Sequence, residues 1–443
     1  MSDSKAPQPG IQSPASRDKW ICCQLGARMH YAVPRLLHAS EKLERFYTDL
    51  YAGPGGGWPQ LLAALPPQCG PAGIRRLLGR AAADLPGDRI RSYPFFGLTY
   101  YTRRRRARSL EAMDQAHLWA GKAFGEKVVR DGFGEARAVY AFNTAGREIL
   151  TAARRCGLFT VLEQTIVPRS IEEALLAEAQ ARYAGWEPRR EPSVVVTALA
   201  QREREEWAQA DLIVCGSEFV RAGIQQCGGP VERCIVLPYG VDAHFAPRIR
   251  ESSGRLLRVL TVGQVGLRKG AGCVMAVAKA LHGKAEFRWV GSVALLEPAR
   301  LELGRHIELT GAVARSEILK HYAWADVFFL PSVCEGSATV TYEALACGLP
   351  VVTTPNAGSL VRDGVDGYVV PIYDTMAMAE RLRLLADDRA LLTKFSEAAA
   401  QRAGEVSLTA YQQRFHRLIK AGANHGTAEV AQIPAGGKPI FPQ

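Results

Sequence analysis

RVLTVGQVGLRKG, residues 258–270, and DVFFLPSVCEGSATVTYEALACGLP, residues 326–350, share one plan: a short apolar run, a turn rich in small residues, then a helical stretch. Runs that are apolar on both faces suit strands of a parallel sheet covered by helices on either side. FRWVGSV (287–293), HIELTGAV (306–313) and PVVTTPNAG (350–358) repeat the plan. So do WICCQLGA (20–27), AVYAFNTAG (138–146), FTVLEQT (159–165), DLIVCGS (211–217) and CIVLPYG (234–240) in the first half. Two such series predict an α/β protein of two tandem Rossmann-like, doubly wound domains with a cleft between them.

The chain is long enough for this plan. It has 443 residues, 47% of them hydrophobic and 22% charged, which excludes a mostly disordered polymer. The polar, proline-containing stretch YGVDAHFAPRIRESSG (239–254) separates the two series. The expected division is a disordered tail at 1–18, an acceptor-side domain at 19–240, a second domain at 241–405, a final helix at 406–423 and a flexible tail at 424–443. Within that final helix, AYQQRFHRLIK (410–420) has amphipathic spacing.

No run approaches the roughly 18 apolar residues of a membrane span, and the first eighteen residues lack the apolar core of a secretory leader. The ten cysteines are scattered with no C-x-x-C pair, against both a zinc site and a disulfide framework. A reduced, cytoplasmic protein is the expectation. The formal charge is +11. Between Pro71 and Leu110, ten arginines face two aspartates, a net of +8, so one short segment carries most of the excess. Arg103, Arg104, Arg105, Arg106 and Arg108 follow the aromatic run Tyr93, Phe95, Phe96, Tyr100 and Tyr101. The segment is either a solvated basic element or a docking patch for an anionic surface.

In doubly wound sheets ligands sit beyond the carboxyl ends of the strands. The turn Gly263–Gly270 follows one such strand, with a helix expected from about Cys273. Its glycines allow close backbone approach, and Arg268 with Lys269 would favour phosphate oxygens. A tight turn carrying two solvated cations has the same pattern. The stretch Glu335, Gly336, Ser337, Ala338, Thr339 follows another strand, with a helix expected from about Ser337. Glu335 would then lie at the mouth of that helix and Glu343 two turns in. Two carboxylates so placed could accept hydrogen bonds from sugar and ribose hydroxyls, and the N–H groups of 336–339 could hold a diphosphate. A surface glutamate and a capping glutamate fit that spacing equally well.

EGSATVTYEALACGLPVVTTPNAG (335–358) resembles the E-x7-E signature of family 4 glycosyltransferases, retaining enzymes of the GT-B fold. ADLIVCGSEFV, VLPYGVDAHFAP, VGQVGLRKG and DGVDGYVVP resemble further motifs of that family in the same order. The likeness is strongest between Asp211 and Ala400. It implies that Arg268 and Lys269 neutralise the departing diphosphate and that Glu335 binds donor-sugar hydroxyls. It places backbone of Gly263, Gly336, Ser337, Ala338 and Thr339 beside the sugar phosphate, and Glu343 on the ribose. Val313 would lie beside the base, and Gly26 near the phosphates and acceptor.

Three departures qualify the likeness. Gln264 stands where many relatives carry arginine, and Ser337-Ala338 replaces a frequent Phe-Gly. The strand 161–165 ends without the histidine many relatives place against the sugar, so Glu163, Gln164, Thr165 or His30 would have to substitute. His244 is given no role.

The implied function is transfer of a sugar from a nucleotide-diphosphate donor to the hydroxyl of a sugar or lipid-linked acceptor in polysaccharide or glycoconjugate synthesis. No D-x-D motif is present to hold a metal, so no metal and no cofactor beyond the donor substrate is expected. The arginine-rich segment implies an anionic membrane surface at Arg103–Arg106, on the cytoplasmic face. The competing reading is a basic protein that binds nucleic acid or anionic surfaces and carries a degenerate GT-B site. No recognised nucleic-acid module supports it, and no nucleic-acid partner is expected.

Overall fold

The computed structural model describes residues 18–54, 80–191, 193–242, 244–247 and 255–423. The tails at 1–17 and 424–443, the arginines at 75 and 76 and the whole of the stretch 248–254 lie outside the described residues.

Two parallel sheets organise the chain. The first has seven strands: β1 (Trp20–Gln24), β2 (Leu43–Thr48), β3 (Ile90–Ser92), β4 (Ala138–Phe142), β5 (Phe159–Gln164), β6 (Leu212–Cys215) and β7 (Cys234–Val236). Their order is β3-β2-β1-β4-β5-β6-β7. The second has six: β8 (Leu257–Val262), β9 (Ala285–Val290), β10 (Glu308–Gly311), β11 (Val327–Leu330), β12 (Val351–Thr353) and β13 (Gly367–Val369). Their order is β10-β9-β8-β11-β12-β13. Both orders reverse once, between β1 and β4 and between β8 and β11. Those reversals open the crevices where doubly wound sheets take their ligands. The fold is the expected α/β pair of doubly wound sheets.

All ten apolar runs read from the sequence form strands. Three further strands lie outside that reading. β2 (LERFYT) is buried at Leu43, Phe46, Tyr47 and Thr48 but carries Glu44 and Arg45 half-buried, which breaks the apolar run. β3 (IRS) and β13 (GYV) are three-residue edge strands that do not start an apolar run: β3 holds one apolar residue and β13 opens on glycine. Two expected helices start slightly off. The one expected from Cys273 begins at Ala271, and the one expected from Ser337 begins at Thr339. The basic segment is mostly helical over Pro94–Arg106, and the last helix runs Leu408–Ala423.

By proximity the residues form two units. One takes residues up to Arg106, Trp119–Val161 and Gln209–Asp211. The other takes Ala107–Leu118, Leu162–Ala208 and the chain from Leu212 on. In the first, Tyr31 packs edge-on to Phe46 and against Tyr51, all three buried. In the second, Val259, Val274, Trp289, Phe329, Leu382 and Phe395 belong to one apolar core around β8, β9 and β11. There Tyr239 and Gly240 meet the final helix: Tyr239 packs against Tyr411, and the Arg414 guanidinium donates to the Pro238 carbonyl at 3.0 Å.

Candidate functional site

The crevice between β8 and β11 is built from their two following loops. After β8 the chain turns at Gly263, with φ +128, and the Trp289 indole N–H donates to its carbonyl at 3.0 Å. Leu267–Lys269 makes one 3-10 turn, closed by Gly270 in the left-handed region, before the helix Ala271–Ala280. The loop after β11 is tied to this turn: the Val333 N–H donates to the Arg268 carbonyl at 2.9 Å. The Asn356 side chain donates to the Val333 carbonyl at 2.8 Å, and the Glu335 N–H donates to the Asn356 carbonyl at 3.0 Å. The backbone under Arg268, Lys269 and Glu335 is therefore fixed before any side chain acts.

Those three side chains converge. Lys269 Nζ lies 2.8 Å from Glu335 Oε1, in an ion pair that lacks hydrogen-bond alignment. Arg268 Nη2 lies 3.6 Å from Glu335 Oε2, while its Nε donates to the Cys334 carbonyl at 2.9 Å. Burial disfavours the charge on Arg268, but Glu335 and Glu172 outweigh it and its pKa is raised. The result is a largely withdrawn carboxylate facing two cations, one of which, Arg268, keeps 41% of its side chain exposed. Chemically this is a site that can neutralise an anion and offer a carboxylate to hydroxyls.

Gly336, Ser337 and Ala338 form the turn into the helix Thr339–Ala346, and no side chain caps that helix. The first N–H groups of a helix lack partners inside it and suit an anion. A side chain on residue 336 would run into the Thr165 carbonyl, so this backbone approach requires glycine. The Ser337 and Tyr342 hydroxyls lie 2.5 Å apart, Tyr342 donates to the Gly358 carbonyl, and burial pushes the Tyr342 phenol up to about 12.

Glu343 has a different set of neighbours. It is buried; its Oε2 accepts from the Tyr322 hydroxyl at 2.7 Å, and its Oε1 lies 3.8 Å from the half-exposed Arg315. Burial raises its pKa against the opposing pull of Tyr322 and Arg315. Val313 is half-buried in the loop after β10. Among the described residues no group of three or more His, Cys, Asp or Glu side chains is placed to hold a metal ion.

The family described as Glycosyl transferases group 1 matches residues 257–388, the span that holds every one of these second-sheet residues. Residues 257–388 are thus similar to a group 1 glycosyl transferase domain. The amylovoran biosynthesis glycosyltransferase AmsK of Erwinia amylovora is 27% identical over 201 residues, covering 42% of this chain and 49% of AmsK. The chain thus spans about half the length of the curated relatives it matches. Sucrose-phosphate synthase from Thermosynechococcus elongatus superposes with a TM-score of 0.61 at 16% identity, covering 91% of this chain and 98% of its own. Anabaena HepE in complex with UDP and glucose gives 0.56 at 16% identity, covering 91% and 99%. These structures establish the two-domain GT-B fold.

Two residues beside the loops of residues 257–388 went unread. Ser217 caps the helix Glu218–Gln226 by accepting from the Val220 N–H, and its hydroxyl donates to the Gly336 carbonyl at 2.5 Å. A serine just before a helix is a readable cap; its long-range bond is not. Glu172, on the helix Arg169–Arg182, reaches Arg268 at 3.6 Å, and no local pattern marks it. Two of the candidates at the end of β5 are engaged elsewhere, while the Thr165 carbonyl faces Gly336. Glu163 is buried and accepts from the Tyr239 hydroxyl at 2.8 Å, while Gln164 bonds Glu203 and the Trp207 indole.

Gly26 belongs to the other unit. It follows β1 with φ +75, and its N–H donates to Asp49, which Arg80 holds at 2.9 Å. Just beyond it Met29, His30 and Tyr31 all have left-handed backbones, with φ of 47, 49 and 61. His30 is exposed at the middle of this run.

Proposed function

We propose that the chain is a retaining glycosyltransferase that moves a sugar from a nucleotide-diphosphate donor to an acceptor hydroxyl in polysaccharide or glycoconjugate synthesis. The observation that carries the reading is Glu335, clamped by Lys269 and Arg268 at the switch point of a group 1-like domain. The UDP and glucose named with HepE support the donor class, and the naming of AmsK supports polysaccharide synthesis.

On this reading Lys269 and Arg268 turn to the donor diphosphate, which frees Glu335 to accept from sugar hydroxyls. As the anomeric C–O bond breaks, its electron pair goes to the diphosphate, where the two cations and the N–H groups of Gly336, Ser337 and Thr339 stabilise it; the Ala338 N–H, expected to join them, instead donates to the Ala357 carbonyl at 3.0 Å. The acceptor oxygen bonds the anomeric carbon on the same face and its proton passes to a departing phosphate oxygen. Glu343 keeps Tyr322 on one oxygen and offers the other to the ribose. Val313 lines the base, and Gly26 lies on the acceptor side. No metal is assigned a role.

The acceptor is a sugar or a lipid-linked sugar, and the protein meets it at an anionic membrane surface. The helix Pro94–Arg106 supports this: Phe95 is 79% exposed, Leu98 is also exposed, and Arg103–Arg106 are exposed at its end. Arg103 stacks on Trp119 at 4.2 Å, so that cation sits over an aromatic support. Among the described residues no helix is long and apolar enough to cross a membrane. Flotation with phosphatidylglycerol vesicles should be lost when Arg103–Arg106 become serine; unchanged flotation contradicts this contact.

A thermal-shift panel of UDP, GDP and ADP tests the donor site. A ligand at about 100 times its Kd adds roughly 2.7 kcal/mol of stability. One nucleotide should shift wild type but not Glu343→Ala. A shift that survives in Glu343→Ala contradicts the ribose role, and no shift with any of the three contradicts the reading.

A further inference from the structure

Arg268 faces two carboxylates, and only one belongs to the loop after β11. Its Nη1 lies 3.6 Å from Glu172 Oε1, its Nη2 3.6 Å from Glu335 Oε2. Glu172 is 6% exposed, and its other oxygen accepts from Arg169 Nη1 at 3.0 Å. Arg169 in turn holds Asp114 and Glu173, and Arg190 holds Glu173 at 2.6 Å. The connected network thus sets four carboxylates, Asp114, Glu172, Glu173 and Glu335, against four cations, Arg169, Arg190, Arg268 and Lys269. Glu172 joins the two halves.

We infer that Glu172 is a positioning residue that acts through Arg268 to hold down the site's affinity for the nucleoside diphosphate. This rests on the donor site proposed above. Arg268 is oriented by its hydrogen bond to the Cys334 carbonyl, whereas its 3.6 Å approach to Glu172 is charge attraction without a hydrogen bond. Glu172 therefore contributes mainly a buried negative charge beside a cation that must attract phosphate. That charge opposes the diphosphate in the bound state and favours its departure once the sugar has moved. Arg169 keeps two other carboxylates, so neutralising Glu172 leaves no cation of the network bare.

The test titrates UDP, GDP and ADP into wild type, Glu172→Gln, Glu172→Asp and Asp114→Asn, with melting curves to verify folding. For the nucleotide that binds wild type, Glu172→Gln should bind at least about fivefold tighter at low salt, the effect of removing one nearby unit charge in a partly solvated site. The gain should shrink as salt rises. Glu172→Asp, which keeps the charge, should bind like wild type. Asp114→Asn, which touches Arg169 but not Arg268, should also leave affinity unchanged. A purely structural role cannot raise affinity. Equal or weaker binding by a folded Glu172→Gln, or equal tightening by Asp114→Asn, overturns the inference. If no nucleotide binds wild type, the donor-site reading itself fails, and this inference with it.

Discussion

Lys269 and Glu335, sixty-six positions apart in sequence, form a 2.8 Å ion pair in which both side chains are largely withdrawn from water. Removing one partner from such a pair leaves a charge without its counter-ion, while Arg268 stays close to Glu335 and limits the loss. Lys269→Ala should therefore cost about 1–3 kcal/mol of stability and abolish nucleoside diphosphate binding. Chemical denaturation and calorimetric titration check the two effects separately. Unchanged nucleotide affinity in a folded Lys269→Ala would place the phosphates elsewhere.

Glu343 provides a pH signature. Burial raises its pKa in the folded protein, so the folded state holds that proton more tightly than the unfolded chain does. Its contribution is full below the ordinary glutamate value and is lost as pH rises through the elevated folded value. Glu343→Gln keeps an acceptor for Tyr322 and removes the titration. The melting temperature of Glu343→Gln relative to wild type should climb as pH rises from about 4.3 toward neutrality. A difference that stays flat across this range contradicts the buried carboxylate.

Two glycines should respond differently to alanine. At residue 336 a methyl group meets the Thr165 carbonyl, so Gly336→Ala must move backbone; a loss of about 2–3 kcal/mol is expected, with weaker nucleotide binding. At residue 26 a methyl group meets open space and only the positive φ is costly. Gly26→Ala should lose about 1–2 kcal/mol. Denaturant melts of the two variants give the comparison, and equal losses would argue against the close approach at Gly336.

Met29, His30 and Tyr31 each sit in a conformation that costs a non-glycine residue about 1–2 kcal/mol. Such strain persists where the surrounding structure imposes it, and it concentrates at functional positions. His30→Gly should relieve part of the strain and raise the melting temperature. If His30 contributes to acceptor binding, kcat/KM falls in the same variant. A lower melting temperature would show that the His30 side chain holds the turn.

The sheets were legible because their strands are buried on both faces, and continuous apolar runs survive in a parallel sheet. β2 was illegible because Glu44 and Arg45 interrupt it, β3 (IRS) because it holds one apolar residue, and β13 (GYV) because it opens on glycine directly after a polar turn. Arg268, Lys269 and Glu335 were legible as neighbours of strand ends, and the reversal of strand order between β8 and β11 brings their loops together. What the sequence could not show was pairing across distance. Glu172 looks like any helix-surface glutamate until the fold sets it against Arg268, and Glu163 looks available until Tyr239 is found on it.

The most direct test is turnover. Wild type and Glu335→Gln are incubated with UDP-, GDP- and ADP-sugars and a panel of sugar and lipid-linked sugar acceptors, and nucleoside diphosphate release is followed. The account predicts release from donors of one base, dependent on an acceptor, giving a product with the donor's anomeric configuration, and nearly absent in Glu335→Gln. Wild-type protein that binds a nucleotide yet releases none from any donor, or a Glu335→Gln variant as active as wild type, would contradict it.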